Sequence, residues 1–230
     1  MENHNKPSVS VALSWALDTF KRNAVPFIAL AAVVAVIQMA QQLSIKPLED
    51  IITDCVDPQS PGQIAACNAS TGSGAFVAIG LTFIFMLLAA FATIGVYRAA
   101  LRTTQGGEPS FQDMLTTQYL GRYIAFTIVL ILLSLVGLVM CIIPMFLVIF
   151  FLQLGPYYVL DRGYGAGTAI KASFKAIKSY LGPAVLLTLM NIAVSLVGSM
   201  LFGILTLMTL PFVALFTAHM YRQFNQETIT

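Results

Sequence analysis

The hydrophobic pattern of this chain alternates between short amphipathic segments and long apolar runs. No Asp, Glu, Lys or Arg occurs from Tyr123 to Leu160 or from Leu181 to Tyr221. A membrane-spanning helix needs ~20 apolar residues, so each of these runs is long enough for two crossings. Two further apolar runs flank a polar stretch in the first half of the chain. The pattern therefore predicts six transmembrane helices, over residues 24–42, 75–97, 123–140, 144–160, 182–199 and 204–221.

An amphipathic segment precedes each predicted pair of spans. The first lies within residues 1–23 and begins at Pro7-Ser8, a typical helix start. The second begins at Pro109-Ser110, where Ser110 and Asp113 have capping-box spacing. The third has an apolar face formed by Ile170, Phe174 and Ile177, and a basic face formed by Lys171, Lys175 and Lys178. Such helices typically lie along a membrane surface.

These elements predict an all-α, polytopic membrane protein in which residues 1–230 form a single integral membrane domain. Its six transmembrane helices form three hairpins, each preceded by a cytoplasmic interfacial amphipathic helix. The glycines of the segment Gly163-Tyr164-Gly165-Ala166-Gly167 indicate a hinge before the third amphipathic segment and its hairpin. The order of amphipathic segment, span and returning span occurs three times. This is either a true internal repeat or the general similarity that any series of membrane hairpins shows.

Composition supports this fold class and excludes an ordinary soluble enzyme. Hydrophobic residues make up 58% of the 230 residues and charged residues 10%, against ~25% charged in a typical soluble domain. Mean hydropathy is +0.84. Six spans with short connections leave no room for a separate soluble catalytic domain.

Residues 43–74 are rich in Pro, Ser, Gly, Asn and acidic residues, which predicts a long extracytoplasmic loop. Cys55 and Cys67 lie in it. A disulfide between them would close a small ring in an oxidising compartment, whereas the alternative is two unrelated thiols.

The charge distribution predicts the orientation. If both termini and the amphipathic segments share one side, that side holds 11 of the 12 basic residues, all but Lys46, and 6 of the 10 acidic residues. Basic residues mark the cytoplasmic side of membrane proteins. Both termini are therefore expected in the cytoplasm.

Charged side chains are absent from the predicted spans away from their ends, which argues against an ion-coupled pump or a proton-driven carrier. The intramembrane polar candidates are Asn191, Gln153 and Gln38. The simpler interpretation is hydrogen bonding between helices, and the alternative is a polar path for a substrate.

Lipid headgroups are the partners that the basic segments predict. The candidate contacts are Lys171, Lys175 and Lys178, together with Lys21 and Arg22. The alternative is that these residues form only the solvated face of an interfacial helix.

No catalytic grouping is visible in the sequence. His4 and His219 are the two histidines, too few to assemble a familiar zinc site with the cysteines. We therefore expect no enzyme activity, no metal, no cofactor and no nucleic-acid partner.

Several motifs resemble a bacterial family, the membrane domain attached to some glycerophosphoryl diester phosphodiesterases and its stand-alone six-span relatives. They are Tyr158-Val159-Leu160-Asp161, Ala169-Ile170-Lys171-Ala172-Ser173 and Gly182-Pro183, with Trp15, Phe20-Lys21 and Asn23 near the N-terminus. The resemblance implies a multi-pass protein of the bacterial plasma membrane. The soluble phosphodiesterase domain has no counterpart here, so its activity is not implied.

The sequence thus predicts a non-enzymatic membrane protein that binds lipid or serves as an accessory or scaffold in a membrane or envelope complex, with other membrane proteins as further candidate partners. The alternative is a small-molecule or lipid transporter with a polar path near Gln153 and Asn191. A third hypothesis is an enzyme that acts on lipid headgroups at the inner interface.

Overall fold

The structure is a computed structural model that describes residues 7–56, 61–140, 142–200 and 206–229, and the regular elements in these ranges are all helical. This confirms the all-α class. The helices are α1 (Val9–Arg22), α2 (Ala24–Val56), α3 (Pro61–Thr103), α4 (Gln112–Leu115), α5 (Leu120–Met140), α6 (Ile142–Leu152), α7 (Gly155–Arg162), α8 (Ala166–Ser179), α9 (Leu181–Met200) and α10 (Thr206–Phe224).

The chain divides into two compact units. One comprises Met1–Ala31 and Ile94–Thr230, and the other comprises Ala32–Thr93. In the first unit, α10 packs against α1 and α9, while α7 and α8 pack against each other and against α5. The candidate site described below lies entirely in this first unit.

Five helical segments among the described residues are long and apolar enough to cross a membrane. They are Ala24–Lys46, Gly80–Thr103, Leu120–Val139, Ile143–Arg162 and Leu181–Gly198. The predicted sixth span, 204–221, begins outside the described residues, and α10 covers its remainder from Thr206 onwards. The structure therefore supports a multi-pass helical membrane protein with five candidate spans.

These helices expose large apolar side chains, as a lipid environment requires. Val36 is 66% exposed, Phe83 60%, Leu132 56% and Leu189 55%. In a soluble domain such positions would form apolar patches open to water. In a bilayer they contact acyl chains.

Two parts of the chain share one local design. α1 and α8 each have 14 residues, and a single residue, Asn23 or Tyr180, separates each from the long apolar helix that follows. Ala12, Ala16 and Phe20 are buried in α1, and Ala169, Ser173 and Ile177 are buried at the same spacing in α8. The two helices thus share a length, a spacing of buried residues and a one-residue link to the next helix.

The predicted start of α1 is confirmed. Ser8 is its N-cap, and the Ser8 side chain accepts a hydrogen bond from the backbone N–H of Val11. Ser, which can satisfy an otherwise unpaired backbone donor, is a preferred residue at this position. The buried face consists of Ala12, Ala16 and Phe20, while the apolar Leu17 is 42% exposed.

The middle amphipathic segment is shorter than predicted, since it contains only the single turn α4. The capping-box spacing nevertheless acts as expected. The Asp113 carboxylate accepts a hydrogen bond from the Ser110 N–H at 2.9 Å, and the Ser110 hydroxyl accepts one from the Gln112 N–H at 3.2 Å. Thr116 has extended backbone angles and ends the turn before a helix can develop.

Composition predicted a loop for residues 43–74, but the structure has helix over 43–56 and 61–74. Each helix grows from an apolar span, and propagation adds one hydrogen bond for each residue fixed. Pro61 is the first residue of α3, where its missing N–H costs nothing. The side chains of Cys55 and Cys67 lie outside the described part, so their disulfide stays a prediction.

The predicted span 144–160 is not one continuous helix, because it is interrupted at Gln153 and Leu154 between α6 and α7. The cause is Pro156, which has no N–H to donate to the carbonyl four residues earlier and would clash with it. The Ser173 hydroxyl of α8 donates to the Phe151 carbonyl at 2.7 Å. Side-chain hydroxyls commonly satisfy the backbone groups that such breaks leave free.

Gly163, the first glycine of the predicted hinge, ends α7. It caps α7 in the left-handed conformation with φ of 63°, and its N–H donates to the Val159 carbonyl at 3.0 Å. A side chain at this position would also meet the Tyr119 ring. Glycine is favoured because it adopts positive φ without steric cost.

Candidate functional site

The basic residues predicted to contact lipid are exposed in the structure. Lys171, Lys175 and Lys178 follow one side of α8, while Ala169, Ser173, Ala176 and Ile177 on its other side are buried. Lys21 and Arg22 are exposed at the last turn of α1. Both helices therefore present cations to solvent or to a membrane surface.

The two half-buried amide candidates form hydrogen bonds between helices. The Gln153 amide nitrogen, at the break before α7, donates to the Thr188 hydroxyl of α9 at 2.9 Å. The Asn191 amide of α9 donates to the Thr217 hydroxyl of α10 at 3.1 Å. The third candidate, Gln38, is exposed, and it belongs to the other compact unit.

One buried atom in this polar region stays unpaired. Among the described residues, the Asn191 side-chain oxygen has no hydrogen-bond partner. A buried acceptor without a partner costs ~1–3 kcal/mol, so a water molecule or a polar guest would be stabilised beside it. The neighbouring Thr217 is itself 4% exposed.

A group that sequence reasoning missed lies where the charged ends of α7 and α10 meet. We call it the charged cluster: Asp161, Arg162, Tyr221, Arg222, Glu227 and Thr104. Arg222 forms two hydrogen bonds to the Asp161 carboxylate, at 2.7 and 2.9 Å, and its Nε donates to the Thr104 hydroxyl at 3.1 Å. The Tyr221 hydroxyl donates to the same carboxylate at 2.9 Å.

The charged cluster is closed by the residues that follow α10. Gln226 has a positive φ of 56°, and the Glu227 N–H donates to the Arg222 carbonyl at 3.0 Å. This turn brings the Glu227 carboxylate into ion pairs with Arg222 and Arg162. The segment after α10 is thus fastened to both helices.

Ion pairing outweighs burial in setting the pKa values of Glu227 and Arg222. Burial raises the pKa of the Glu227 carboxyl, but hydrogen bonds and charges from Arg222 and Arg162 exceed this effect and lower it overall. Burial lowers the pKa of Arg222, but its bonds to Asp161 and Glu227 raise it overall. Both shifts favour the charged forms of Glu227 and Arg222.

Beside the charged cluster is a cavity of about 480 Å³ with aromatic walls and two cations. We call it the aromatic pocket and define it by Tyr158, Arg162, Tyr164, Lys175, Tyr180 and Phe224. The Tyr158 and Tyr164 rings stack with centroids 6.0 Å apart, and the Tyr180 and Phe224 rings stack at 5.6 Å. α7, α8 and α10 all contribute side chains to it.

Two signals in the sequence point to this region in retrospect. Asp161-Arg162 and Tyr221-Arg222 stand at the ends of uncharged runs that are predicted to end on the same side. Opposite charges at neighbouring helix ends can form ion pairs, but the sequence does not show that Asp161 pairs with Arg222 or how far apart the two side chains are. Their pairing depends on tertiary contacts across 61 residues.

Comparison with known proteins gives distant relatives and no named family. The chain is 24% identical over 223 residues to an uncharacterized protein of Mycobacterium bovis, Mb2590, covering 95% of this chain and 69% of the relative. Two uncharacterized proteins of Mycobacterium tuberculosis, MT2637 and Rv2560, are similar at the same identity and coverage. No protein-family model matches the chain, so the phosphodiesterase membrane-domain resemblance stays a prediction. No solved structure matches it either.

Proposed function

We propose that this chain is a non-enzymatic multi-pass membrane protein that binds anionic lipid headgroups through its basic interfacial helices. The observation that carries the proposal is the build of α8. Its lysines are exposed, its opposite side is buried, and one residue separates it from the apolar helix α9. This arrangement keeps the cations beside the point where the chain enters the bilayer.

The proposal includes an orientation and a sixth span. α10 completes a hairpin with α9, and the basic ends of the helices face the cytoplasm, where anionic lipids give the membrane surface its negative potential. The expected location is a bacterial plasma membrane. A role as an accessory component of a larger membrane complex is compatible with this, and identifying proteins that copurify from native membranes tests it.

The lipid-binding proposal is tested with the full chain in nanodiscs that contain mixtures of phosphatidylglycerol and phosphatidylcholine. We expect the wild type to enrich phosphatidylglycerol around itself, as measured by mass spectrometry of retained lipid. A triple variant with Lys171, Lys175 and Lys178 replaced by Gln removes ~1 kcal/mol for each lysine and should lose most of this preference.

Lys46→Gln is the matched control, since Lys46 is exposed but lies on the side predicted to be extracytoplasmic. It should keep the wild-type preference. Equal retention of both lipids by the wild type would contradict the proposal, as would an unchanged preference in the triple variant.

The second candidate function is transport of a small molecule or lipid along a polar path near Gln153 and Asn191. The unpaired Asn191 side-chain oxygen is the observation that favours it. The hydrogen bonds from Gln153 to Thr188 and from Asn191 to Thr217 favour a packing role instead. Asn191→Leu separates the two, because a polar path would lose flux whereas a packed bundle would keep its lipid preference.

A further inference from the structure

The aromatic pocket is an open cleft with the size of a small-molecule site. Its volume of about 480 Å³ falls within the ~300–1,000 Å³ common for such sites. It is bounded by three helices of one compact unit, so its walls are held by the packing of α7, α8 and α10.

Hydrogen bonds fix the walls of the pocket. The Tyr158 hydroxyl donates to the Asn225 side-chain oxygen at 3.0 Å. The Gln226 amide donates to the Tyr180 hydroxyl at 3.0 Å. Two stacked aromatic pairs held in this way form rigid, flat surfaces, which bind a ligand with little loss of side-chain entropy.

The charges in the pocket select an anion. Arg162 and Lys175 line it, and none of the described residues that line it is acidic. The Arg162 guanidinium lies 5.6 Å from the centre of the Tyr158 ring and 6.0 Å from that of Tyr164, and it pairs with Glu227 on one side. Lys175 is exposed and has no ion-pair partner in the part of the chain that the structure describes.

This combination suits a phosphate group. A guanidinium held in a fixed plane can donate two parallel hydrogen bonds to phosphate oxygens, and a lysine ammonium adds a mobile charge. The pocket opens beside α8, the helix proposed to lie at the level of lipid headgroups. We propose that the aromatic pocket is a specific site for a phosphate-bearing polar group, with Lys175 and Arg162 as its cationic contacts; this deepens the proposed lipid binding and rests on it.

The phosphate can belong to a lipid headgroup or to a soluble phosphate ester, and the test separates these sources. The full chain is purified in an uncharged detergent, which removes the negative surface potential of a bilayer. Dissociation constants are measured for three probes: dihexanoyl phosphatidylglycerol, glycerol 3-phosphate and inorganic phosphate. Binding of the short-chain lipid alone identifies a lipid site, and binding of glycerol 3-phosphate with similar affinity identifies a soluble ester.

Lys175→Gln should weaken binding of the preferred probe by at least ~10-fold, the loss expected for one charged hydrogen bond. Lys175→Arg should restore most of the affinity. Lys46→Gln is the matched control, because Lys46 is an exposed lysine that neither lines the pocket nor belongs to the proposed headgroup contacts. It should change the dissociation constant by less than ~3-fold.

The outcomes distinguish the pocket from general lipid binding. If Lys46→Gln weakens binding as much as Lys175→Gln, or if no probe binds while nanodiscs still enrich phosphatidylglycerol, the pocket proposal is wrong and the proposed function stands. If the nanodiscs show no enrichment and no probe binds, both are wrong. A loss confined to Lys175→Gln supports the pocket.

Discussion

The buried ion pair between Arg222 and Asp161 allows a direct test of the charged cluster. The Arg222 side chain is 5% exposed and the Asp161 side chain 13%. Arg222→Met removes its hydrogen bonds to Asp161, Thr104 and Glu227 and leaves a carboxylate largely out of water. Breaking a buried pair from one side typically costs 3–5 kcal/mol, and we expect a loss of about 3 kcal/mol because part of Asp161 still reaches solvent.

Arg102→Met is the matched control. The Arg102 side chain is 50% exposed, and its Nη1 pairs with Asp113 at 3.3 Å, so its loss should cost under ~1 kcal/mol. The double variant Arg222→Met with Asp161→Leu removes both charges and should recover at least half of the loss.

Unfolding by sodium dodecyl sulfate in detergent micelles, followed by intrinsic fluorescence, measures these changes. Trp15 is the only tryptophan, and its ring centroid lies 4.9 Å from that of His219, so its emission reports the packing of α1 on α10. If Arg222→Met costs no more than Arg102→Met, the energetic importance of the buried cluster is refuted.

Three further predictions follow from local geometry. Gly155→Ala places a methyl group against the buried Phe126 ring of α5 and should destabilise the protein by ~1–3 kcal/mol in the same unfolding assay. Gly167→Ala is the control, because a methyl group there meets open space and should leave the stability unchanged. Glu227→Gln should be less stable than wild type at pH 7. Because folding lowers the Glu227 pKa, the difference in stability should shrink as the pH falls below about 5. A difference that grows instead contradicts the ion pairing of Glu227. Asn191→Leu should change the free energy of unfolding by less than ~2 kcal/mol, because it loses the hydrogen bond to Thr217 but also removes an unpaired acceptor. A larger loss would show that the Asn191 amide holds α9 and α10 together.

Features set by local sequence could be predicted. The helix start at Pro7-Ser8 and the end of α7 at Gly163 depend on one or two neighbouring residues, and both lie where the sequence indicates a break. The apolar spans follow from length and composition alone. Helical periodicity places the lysines of α8 on one exposed face, and the same periodicity places its buried residues on the opposite face.

Features that depend on competition between signals were harder to predict. The apolar run from 144 to 160 indicated one helix, but Pro156 breaks it at Gln153. Residues 43–74 have the composition of a loop, but helix growth from adjoining spans prevails over most of that segment. At Pro156 a missing backbone N–H outweighs apolar composition, and in residues 43–74 helix propagation outweighs loop composition. Composition alone does not show which of the two effects is larger.

The candidate site required the tertiary structure. Lys175 was already a candidate from its spacing, but its place beside the Tyr158 and Tyr164 rings depends on the packing of α7 against α8. Glu227 had no assigned role, because its ion pairs require the turn at Gln226. Such contacts join residues that the sequence separates widely.

Cysteine accessibility in intact cells tests the central proposal, a multi-pass protein with its basic helices in the cytoplasm. Cells are reduced and then labelled with a membrane-impermeant maleimide, using native Cys55 and Cys67 in a Cys141→Ser background and, in a cysteine-free background, Lys175→Cys. We expect the native cysteines to label in intact cells and Lys175→Cys to label only after permeabilisation. The opposite pattern would contradict the proposed topology and, with it, the placement of α8 against the anionic inner leaflet.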